Sequence, residues 1–448
     1  MMIISVYGAG YVGLVSAVCL AKLGHSIICA DVNEQRIAML KAGGCPIFEQ
    51  KLPALLAEQL ASRRLYFTTD LSFASKEATV HIIATGTPSL EDGKADLAQV
   101  FAVVNHIIHA AEKAGVVVIK STVPVGTGDL IQEQLGRELA ASGKYFKLWV
   151  ASNPEFLREG SAVDDFLRAD RIVIGGEEKA LTVLESIYKP LIQKKIPLLK
   201  MTRRSAELTK YTANALLACK ISFMNQISLL ADKLGADIDE IRAGISLDHR
   251  IGPHFLEAGI GYGGSCFPKD VRALVHLAKS NDLNPSLLQA IEEINQLQKK
   301  WIVERLAQHF DKKLSGLTFG IWGLSFKPGT DDLREASSLT AIETLLGAGV
   351  KLRIFDPVAM PVARKLINNE SVNWCNSAAK VFDQDIDALV IATEWPEFKN
   401  YQLGLLKKQL KGAPVIDGRN CFTLEAVAAF HLSHYYSVGR PTIHSSID

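Results

Sequence analysis

Ile3-Ile4-Ser5-Val6-Tyr7-Gly8-Ala9-Gly10-Tyr11-Val12-Gly13-Leu14-Val15-Ser16-Ala17-Val18 passes from a β-branched run through a glycine turn into a helical pattern. Alone, three glycines so spaced are weak evidence. Between strand and helix each serves a distinct purpose, since Gly8 permits the tight turn, Gly10 lets backbone approach a pyrophosphate, and Gly13 lets helix pack on strand. The helix N-terminus, with Tyr11 and Val12 in its first turn, adds N–H groups that lack helical partners. Asp31 ends the next strand pattern, 18 residues beyond Gly13. A carboxylate there accepts both ribose hydroxyls and repels a 2'-phosphate, so the spacing predicts NAD as cofactor; the nearby guanidinium of Arg36 is of the kind that can receive that phosphate.

Working outward, short β-branched runs alternate with helical patterns at Ile3–Tyr7, Ile27–Ala30, Val80–Ala84, Val116–Lys120, Leu148–Ala151 and Ile172–Ile174, which predicts a parallel sheet with crossover helices. From about Ser205 to Leu234 there is no Pro or Gly, and the stretch reads as one helix ~45 Å long at ~1.5 Å per residue. It opens a helical segment that reaches to about Lys300. Strand alternation then resumes at Thr318–Trp322, Lys351–Phe355, Ala388–Ala392 and Val415–Ile416, and the second set echoes the first: Cys29-Ala30-Asp31 pairs with Ile354-Phe355-Asp356. The fold class expected is α/β, with two Rossmann-like doubly wound domains joined by a long central helix and helical spacer. The boundaries expected are 1–200 for cofactor binding, 201–300 for a central helical dimerisation domain, and 301–448 for a second Rossmann-like domain. A loose polar tail is expected from about Ser437.

A chain of 448 residues exceeds one ordinary core, since cores stop growing near roughly 250 to 300 residues. Lys plus Arg number 49 and Asp plus Glu 48, so no overall field draws the chain to nucleic acid or an acidic membrane. Seven scattered cysteines without Cys-x-x-Cys or zinc-like spacing argue for a reducing, cytoplasmic setting and no metal site. Met1-Met2-Ile3-Ile4 carries no basic cluster and no apolar run approaches the ~20 residues of a membrane span, so a soluble, unprocessed chain is the expectation.

Gly259-Ile260-Gly261-Tyr262-Gly263-Gly264-Ser265-Cys266-Phe267-Pro268-Lys269-Asp270 is the stretch that carries chemistry. Four glycines in six residues make a loop that can fold closely round a ligand and bring Cys266 to it. If the chain turns helical at Pro268, Lys269 and Asp270 fall near the thiol, where a cation favours the thiolate nucleophile. Cys19, Cys29 and Cys219, in apolar surroundings, read as inert. Lys210 and Asn214 are four apart on the long helix and share a face, as donors to a developing oxyanion would.

These strings, with Ser121-Thr122-Val123-Pro124-Val125-Gly126-Thr127, Asn153-Pro154-Glu155-Phe156-Leu157-Arg158-Glu159-Gly160, Gly323-Leu324-Ser325-Phe326-Lys327-Pro328-Gly329-Thr330-Asp331-Asp332 and Asp417-Gly418-Arg419, resemble the UDP-glucose 6-dehydrogenases of the UDP-glucose/GDP-mannose dehydrogenase family over nearly the whole chain. The resemblance implies a four-electron oxidation of UDP-glucose to UDP-glucuronate. Cys266 would attack the aldehyde of the first oxidation, giving a thiohemiacetal and then a thioester, with Lys210 and Asn214 holding the oxyanion. Asp270 would orient or deprotonate the hydrolytic water, and Thr122 and Glu155 would place a water that takes the alcohol proton. It further implies NAD contacts at Gly8, Gly10, Tyr11, Val12, Gly13, Asp31, Arg36, Thr87, Thr122, Glu155, Lys269 and Arg334. Nucleotide-sugar contacts are implied at Glu155, Phe156, Leu157, Arg158, Lys210, Asn214, Phe255, Leu256, Gly263, Phe326, Lys327 and Arg419, with Arg250 donated by the partner of a homodimer.

The residues support this where they can: a two-stage oxidation needs a nucleophile that keeps the aldehyde bound between stages. Lys327 and Arg419, at strand ends of the second half, suit a diphosphate. Two rival enzymes share the layout, a GDP-mannose 6-dehydrogenase and a two-electron hydroxy-acid dehydrogenase in which Cys266 is a bystander. An NAD-sensing or assembly protein is the non-enzyme reading.

Overall fold

The computed structural model describes residues 2–444, in two compact units, Met1–Ala213 and Asn214–Asp448. The first is built on an eight-stranded sheet of β1 (Ile3–Tyr7), β2 (Ser26–Ala30), β3 (Leu65–Thr68), β4 (Val80–Ile83), β5 (Gly115–Ile119), β6 (Leu148–Ser152), β7 (Ile172–Gly176) and β8 (Leu198–Met201). Their order is β3-β2-β1-β4-β5-β6-β7-β8, parallel except at β6–β7. The first six strands follow the doubly wound dinucleotide order, whose direction reverses between β1 and β4. β4 and β5 are buried along their whole length because helices cover both faces, which is why these segments read as unbroken apolar runs rather than alternating ones.

The helix Arg203–Leu234 follows β8, and four further helices, Ile238–Ser246, Phe267–Lys279, Ser286–Gln298 and Trp301–His309, precede the second sheet. That sheet comprises β9 (Thr318–Trp322), β10 (Lys351–Phe355), β11 (Val372–Trp374), β12 (Ala388–Ile391), β13 (Val415–Asp417), β14 (His434–Ser437) and β15 (Ile443–His444). The order β11-β10-β9-β12-β13-β14-β15 repeats the first topology, with the antiparallel β15 added at the edge.

The loose tail expected from Ser437 is corrected as far as His444. Val438 and Arg440 are buried, the Ile238 N–H donates to the Gly439 carbonyl at 2.8 Å, and β15 pairs back on β14. A buried arginine held by several acceptors anchors a segment that polar composition alone would leave in solvent. Residues 445–448 of that expectation lie outside the described residues. No helix among the described residues is long and apolar enough to cross a membrane.

Candidate active site

At the end of β1 the chain turns through Gly8 at φ +99°, where a Cβ would stand 2.7 Å from the Ala84 carbonyl oxygen. A Cβ on Gly13 would meet the Gly8 carbonyl oxygen at 1.8 Å, so helix Tyr11–Lys22 lies directly on the turn. Gly10 differs: nothing of the unit lies within 4 Å of the place its Cβ would take. The fold does not require glycine there, whereas a ligand pressed against the backbone does. No side chain caps this helix and no acid stands in its first turn, which suits a pyrophosphate. Asp31, at the end of β2, accepts the Ala9 N–H at 2.7 Å, the Asn33 N–H at 2.8 Å and Arg36 Nη1 at 2.9 Å. It therefore pins the turn and occupies Arg36. The Tyr11 hydroxyl donates to Glu49, and the Gly160 N–H donates to both.

The loops after β4, β5 and β6 stand at the carboxyl edge of the sheet, where ligands of such folds gather. Thr87 donates its hydroxyl to the Thr122 carbonyl at 2.8 Å, joining the first two loops. Glu155, on the third, receives Lys210 Nζ at 2.9 Å, both side chains being buried, and accepts the Leu157 N–H at 2.6 Å. Lys210 also lies 5.4 Å from the centre of the Phe156 ring. Burial works to raise the Glu155 carboxyl, but Lys210, the Leu157 N–H and Lys120 outweigh it and hold the group ionised below its ordinary value. Lys120, fully enclosed at the end of β5, reaches Asn153 Oδ1 at 3.4 Å, and burial depresses its pKa to about 8. Glu207, one turn before Lys210, accepts the N–H groups of Gly126 and Gly128 at 2.7 and 2.9 Å and so fixes the loop that carries Thr122.

In the second unit Cys266 is the N-cap of helix Phe267–Lys279, with Pro in the first turn and no side chain capping the end. A helix N-terminus stabilises a thiolate. Asp270 is fully buried in that turn; its N–H donates to the Cys266 carbonyl at 2.9 Å, and its carboxylate takes Asn214 Nδ2 at 2.6 Å and the Lys269 ammonium. The loop before the cysteine is wedged where only glycine fits: a Cβ on Gly263 would stand 2.5 Å from the Glu335 carbonyl oxygen, and one on Gly264 would strike the Phe326 ring at 2.8 Å. Arg419 donates to the carbonyls of Ala392, Gly261 and Phe326 at 3.1 to 3.3 Å, gathering three loops of this unit at one guanidinium.

Comparison with known proteins matches three domains of one family along the chain. The NAD binding domain of the UDP-glucose/GDP-mannose dehydrogenase family matches residues 2–192, its central domain 204–297 and its UDP binding domain 320–424. The chain belongs to this family. A UDP-glucose 6-dehydrogenase of Pseudomonas aeruginosa is 43% identical over 452 residues, covering 98% of each chain. The solved UDP-glucose dehydrogenase of Pyrobaculum islandicum is 38% identical with TM-score 0.89, again over 98% of each. A GDP-mannose dehydrogenase of Pseudomonas aeruginosa is 32% identical over 98% of this chain and 99% of its own, with TM-score 0.53. The protein is an NAD-dependent oxidoreductase of the UDP-glucose/GDP-mannose dehydrogenase family.

Several residues that the family resemblance points to are engaged locally. Arg158 is held by Asp165, Arg250 by Asp248 and Arg334 by Asp332, each mostly exposed. Phe255 adopts a left-handed φ of +64° beside Phe267, and Leu256 is buried. Lys327 Nζ lies 5.6 Å from the Phe326 ring centre. Sequence reading missed Lys120, Glu207 and Glu335. An ionisable side chain directly ending the apolar strand Val116–Ile119 was the available signal for Lys120; the other two have partners too distant in sequence to be read.

Proposed function

We propose that this family member oxidises UDP-glucose to UDP-glucuronate in two stages, each with its own NAD, through a covalent adduct on Cys266. What carries the reading is Cys266 at an uncapped helix N-terminus one turn before a buried carboxylate, in a chain whose 43% identical relative bears the name UDP-glucose 6-dehydrogenase. Gly8, Gly10, Tyr11, Val12, Gly13, Asp31, Arg36, Thr87, Lys269 and Arg334 would hold NAD, which when bound supplies the hydride acceptor for each oxidation. Glu155, kept ionised by Lys210, and Thr122 hold the water that takes the alcohol proton. Cys266 thiolate then adds to the aldehyde carbon, so the intermediate stays attached until it becomes a thioester. An ammonium carries three N–H donors and an amide nitrogen two, so Lys210 and Asn214 can each serve the oxyanion alongside a carboxylate. Asp270 orients or deprotonates the water that releases UDP-glucuronate and returns the thiol.

The remaining contacts to the sugar nucleotide fall to Phe156, Leu157, Arg158, Phe255, Leu256, Gly263, Phe326, Lys327 and Arg419. The working division is 1–200, 201–300 and 301–448, in a cytoplasmic homodimer with Arg250 serving the partner's site. In support of the dimer, Leu216, Phe223 and Leu230 recur at seven-residue spacing on helix Arg203–Leu234 and stand 61%, 53% and 52% exposed, an apolar seam that suits a second copy. The deciding experiment counts NADH formed per UDP-glucose consumed, beside Cys266→Ser. Two NADH, with turnover lost in the variant, is expected. One NADH, or an indifferent variant, overturns the cysteine route, and turnover of GDP-mannose in its place overturns the substrate.

A further inference from the structure

Glu335 is one of the few residues other than glycine with a left-handed backbone, at φ +55°. That conformation crowds a side chain with a Cβ and persists only where the surroundings hold it. Here both oxygens of its carboxylate are taken by cations. Lys299 Nζ, buried, lies 2.9 Å from Oε2, and Arg272 Nη2 lies 2.7 Å from Oε1. Burial works to raise this carboxyl, yet the two cations hold it below its ordinary value. Arg272 is anchored in turn by Glu292 at 3.3 Å.

The main chain at the same point bears on the cysteine loop. The Gly264 N–H donates to the Arg334 carbonyl at 2.8 Å, and the Glu335 carbonyl oxygen fills the space a Cβ on Gly263 would need. Gly263 and Gly264 stand three and two residues before Cys266, and Arg272 stands six after it on helix Phe267–Lys279. Glu335 thus meets the cysteine segment on both sides, with its carbonyl before the thiol and its carboxylate after it. It also ends the segment running from Phe326 to Arg334, which the function proposed above gives to the sugar nucleotide and NAD.

We propose that Glu335 is a positioning residue that fixes Cys266 relative to the segment from Phe326 to Arg334, so that the thiolate meets the aldehyde before it escapes. This rests on the cysteine route of the preceding section. Loss of the grip lets the loop drift, and misplacement of about an ångström at a reacting group costs up to roughly a hundredfold in rate. Glu335→Ala and Glu335→Gln are to be compared with the wild type in three measurements. These are the kcat and KM for UDP-glucose, NADH per sugar with a hydroxylamine present to trap free aldehyde, and the rate at which iodoacetamide alkylates the Cys266 peptide in ligand-free protein.

We expect kcat to fall roughly tenfold or more with KM changed less than about threefold, trapped aldehyde with fewer than two NADH per sugar, and Cys266 alkylation altered by about fivefold or more. Unchanged alkylation with full stoichiometry and kcat overturns the proposal. If circular dichroism shows the Glu335 variants unfolded, Arg272→Gln cuts one arm only and is read by the same measurements, wild-type behaviour again overturning it. If the wild type itself yields one NADH per sugar, the cysteine route has failed, and the alkylation comparison, which needs no turnover, still decides whether Glu335 positions the thiol.

Discussion

Asp31 and Asp356 hold equivalent places in the two sheets, each ending the second strand of its unit and each accepting, at 2.7 Å, the N–H of the residue that follows the glycine after the first strand. Those glycines, Gly8 and Gly323, share the left-handed backbone at φ +99° and +92°. The difference lies in what else each acid does. Asp356 also takes the N–H groups of Ser325, Val358 and Ala359 and the Trp395 indole, so its acceptor sites are spent inside the fold. Asp31 keeps fewer internal partners, and the function proposed above gives it the ribose of NAD. Asp31→Asn should therefore weaken NAD by roughly ten- to a hundredfold, the equivalent of ~1.5 to 3 kcal/mol for hydrogen bonds to a charged group, with a smaller loss of stability than Asp356→Asn because fewer internal donors depend on it. Asp356→Asn should lose a comparable ~2 to 3 kcal/mol of stability and leave NAD affinity unchanged. Calorimetric titration with NAD and thermal melts of both variants separate the two roles.

Within the glycine turn the same separation is available at single-residue resolution. Gly13→Ala places a Cβ 1.8 Å from the Gly8 carbonyl oxygen, a clash with backbone that cannot yield without lifting the helix from β1. It should lower the melting temperature sharply. Gly10→Ala meets nothing within 4 Å and has an ordinary φ of −74°, so its melting temperature should stay within a few degrees. Its Kd for NAD should nonetheless rise by roughly tenfold or more, because the methyl occupies the path by which the pyrophosphate nears the backbone. Retained NAD binding by Gly10→Ala would show that the cofactor lies elsewhere.

What the sequence discloses and what it withholds divide along physical lines. β1, β9 and β10 coincide with the runs Ile3–Tyr7, Thr318–Trp322 and Lys351–Phe355 because each is a short run buried at all but its first position and closed by Gly8, Gly323 or Asp356, even though Ser5 and Arg353 interrupt the apolar pattern. β8 escapes notice because Leu198–Met201 is an edge strand with two of its four residues exposed, and β11 has three residues and no pattern to show. The start of helix Phe267–Lys279 was legible at Pro268 within a residue, since a proline in the first turn is a local signal. The ion pair of Glu155 with Lys210 spans 55 positions and the bond of Asn214 to Asp270 spans 56, and no spacing rule reaches that far. Spacing placed Lys210 and Asn214 on one face of a helix and was silent on the carboxylate that each one holds.

The ordered tail yields a prediction that composition would not suggest. Arg440, 3% exposed, donates to the Tyr435 hydroxyl and the Phe422 carbonyl at 3.0 Å and pairs with Asp239 at 3.2 Å. Tyr435 in turn donates to Asp417 at 2.6 Å, and Asp417 accepts the backbone N–H of Arg419 at 3.0 Å. Arg440→Ala should lower stability by about 3 to 5 kcal/mol, the usual consequence of leaving a buried charge network short of a partner. By loosening Asp417 it should also raise the KM for UDP-glucose through Arg419. Tyr435→Phe, which loses one hydroxyl, should cost about 1 to 2 kcal/mol. Urea unfolding and steady-state kinetics of the pair test the order; equal stability of Arg440→Ala and wild type would refute it.

Lys120 gives a pH dependence whose sign follows from its burial. An exposed lysine titrates near 10.4, whereas Lys120 titrates at about 8 because its charged form is desolvated, against the attraction of Glu155. Below pH 8 both folded and unfolded chains carry the proton, and the cost of the buried charge is fully present. Between about 8 and 10.4 the unfolded chain binds the proton and the folded chain does not, so this group makes the protein more stable as pH rises, by about 3 kcal/mol across the window. Lys120→Met removes the group with little change in shape. The stability difference between wild type and variant, from urea unfolding at pH 7 and pH 10, should move toward the wild type at the higher pH. A difference that is flat across that interval would mean Lys120 stays charged when folded, with its ammonium matched by Glu155 rather than depressed by the surrounding core.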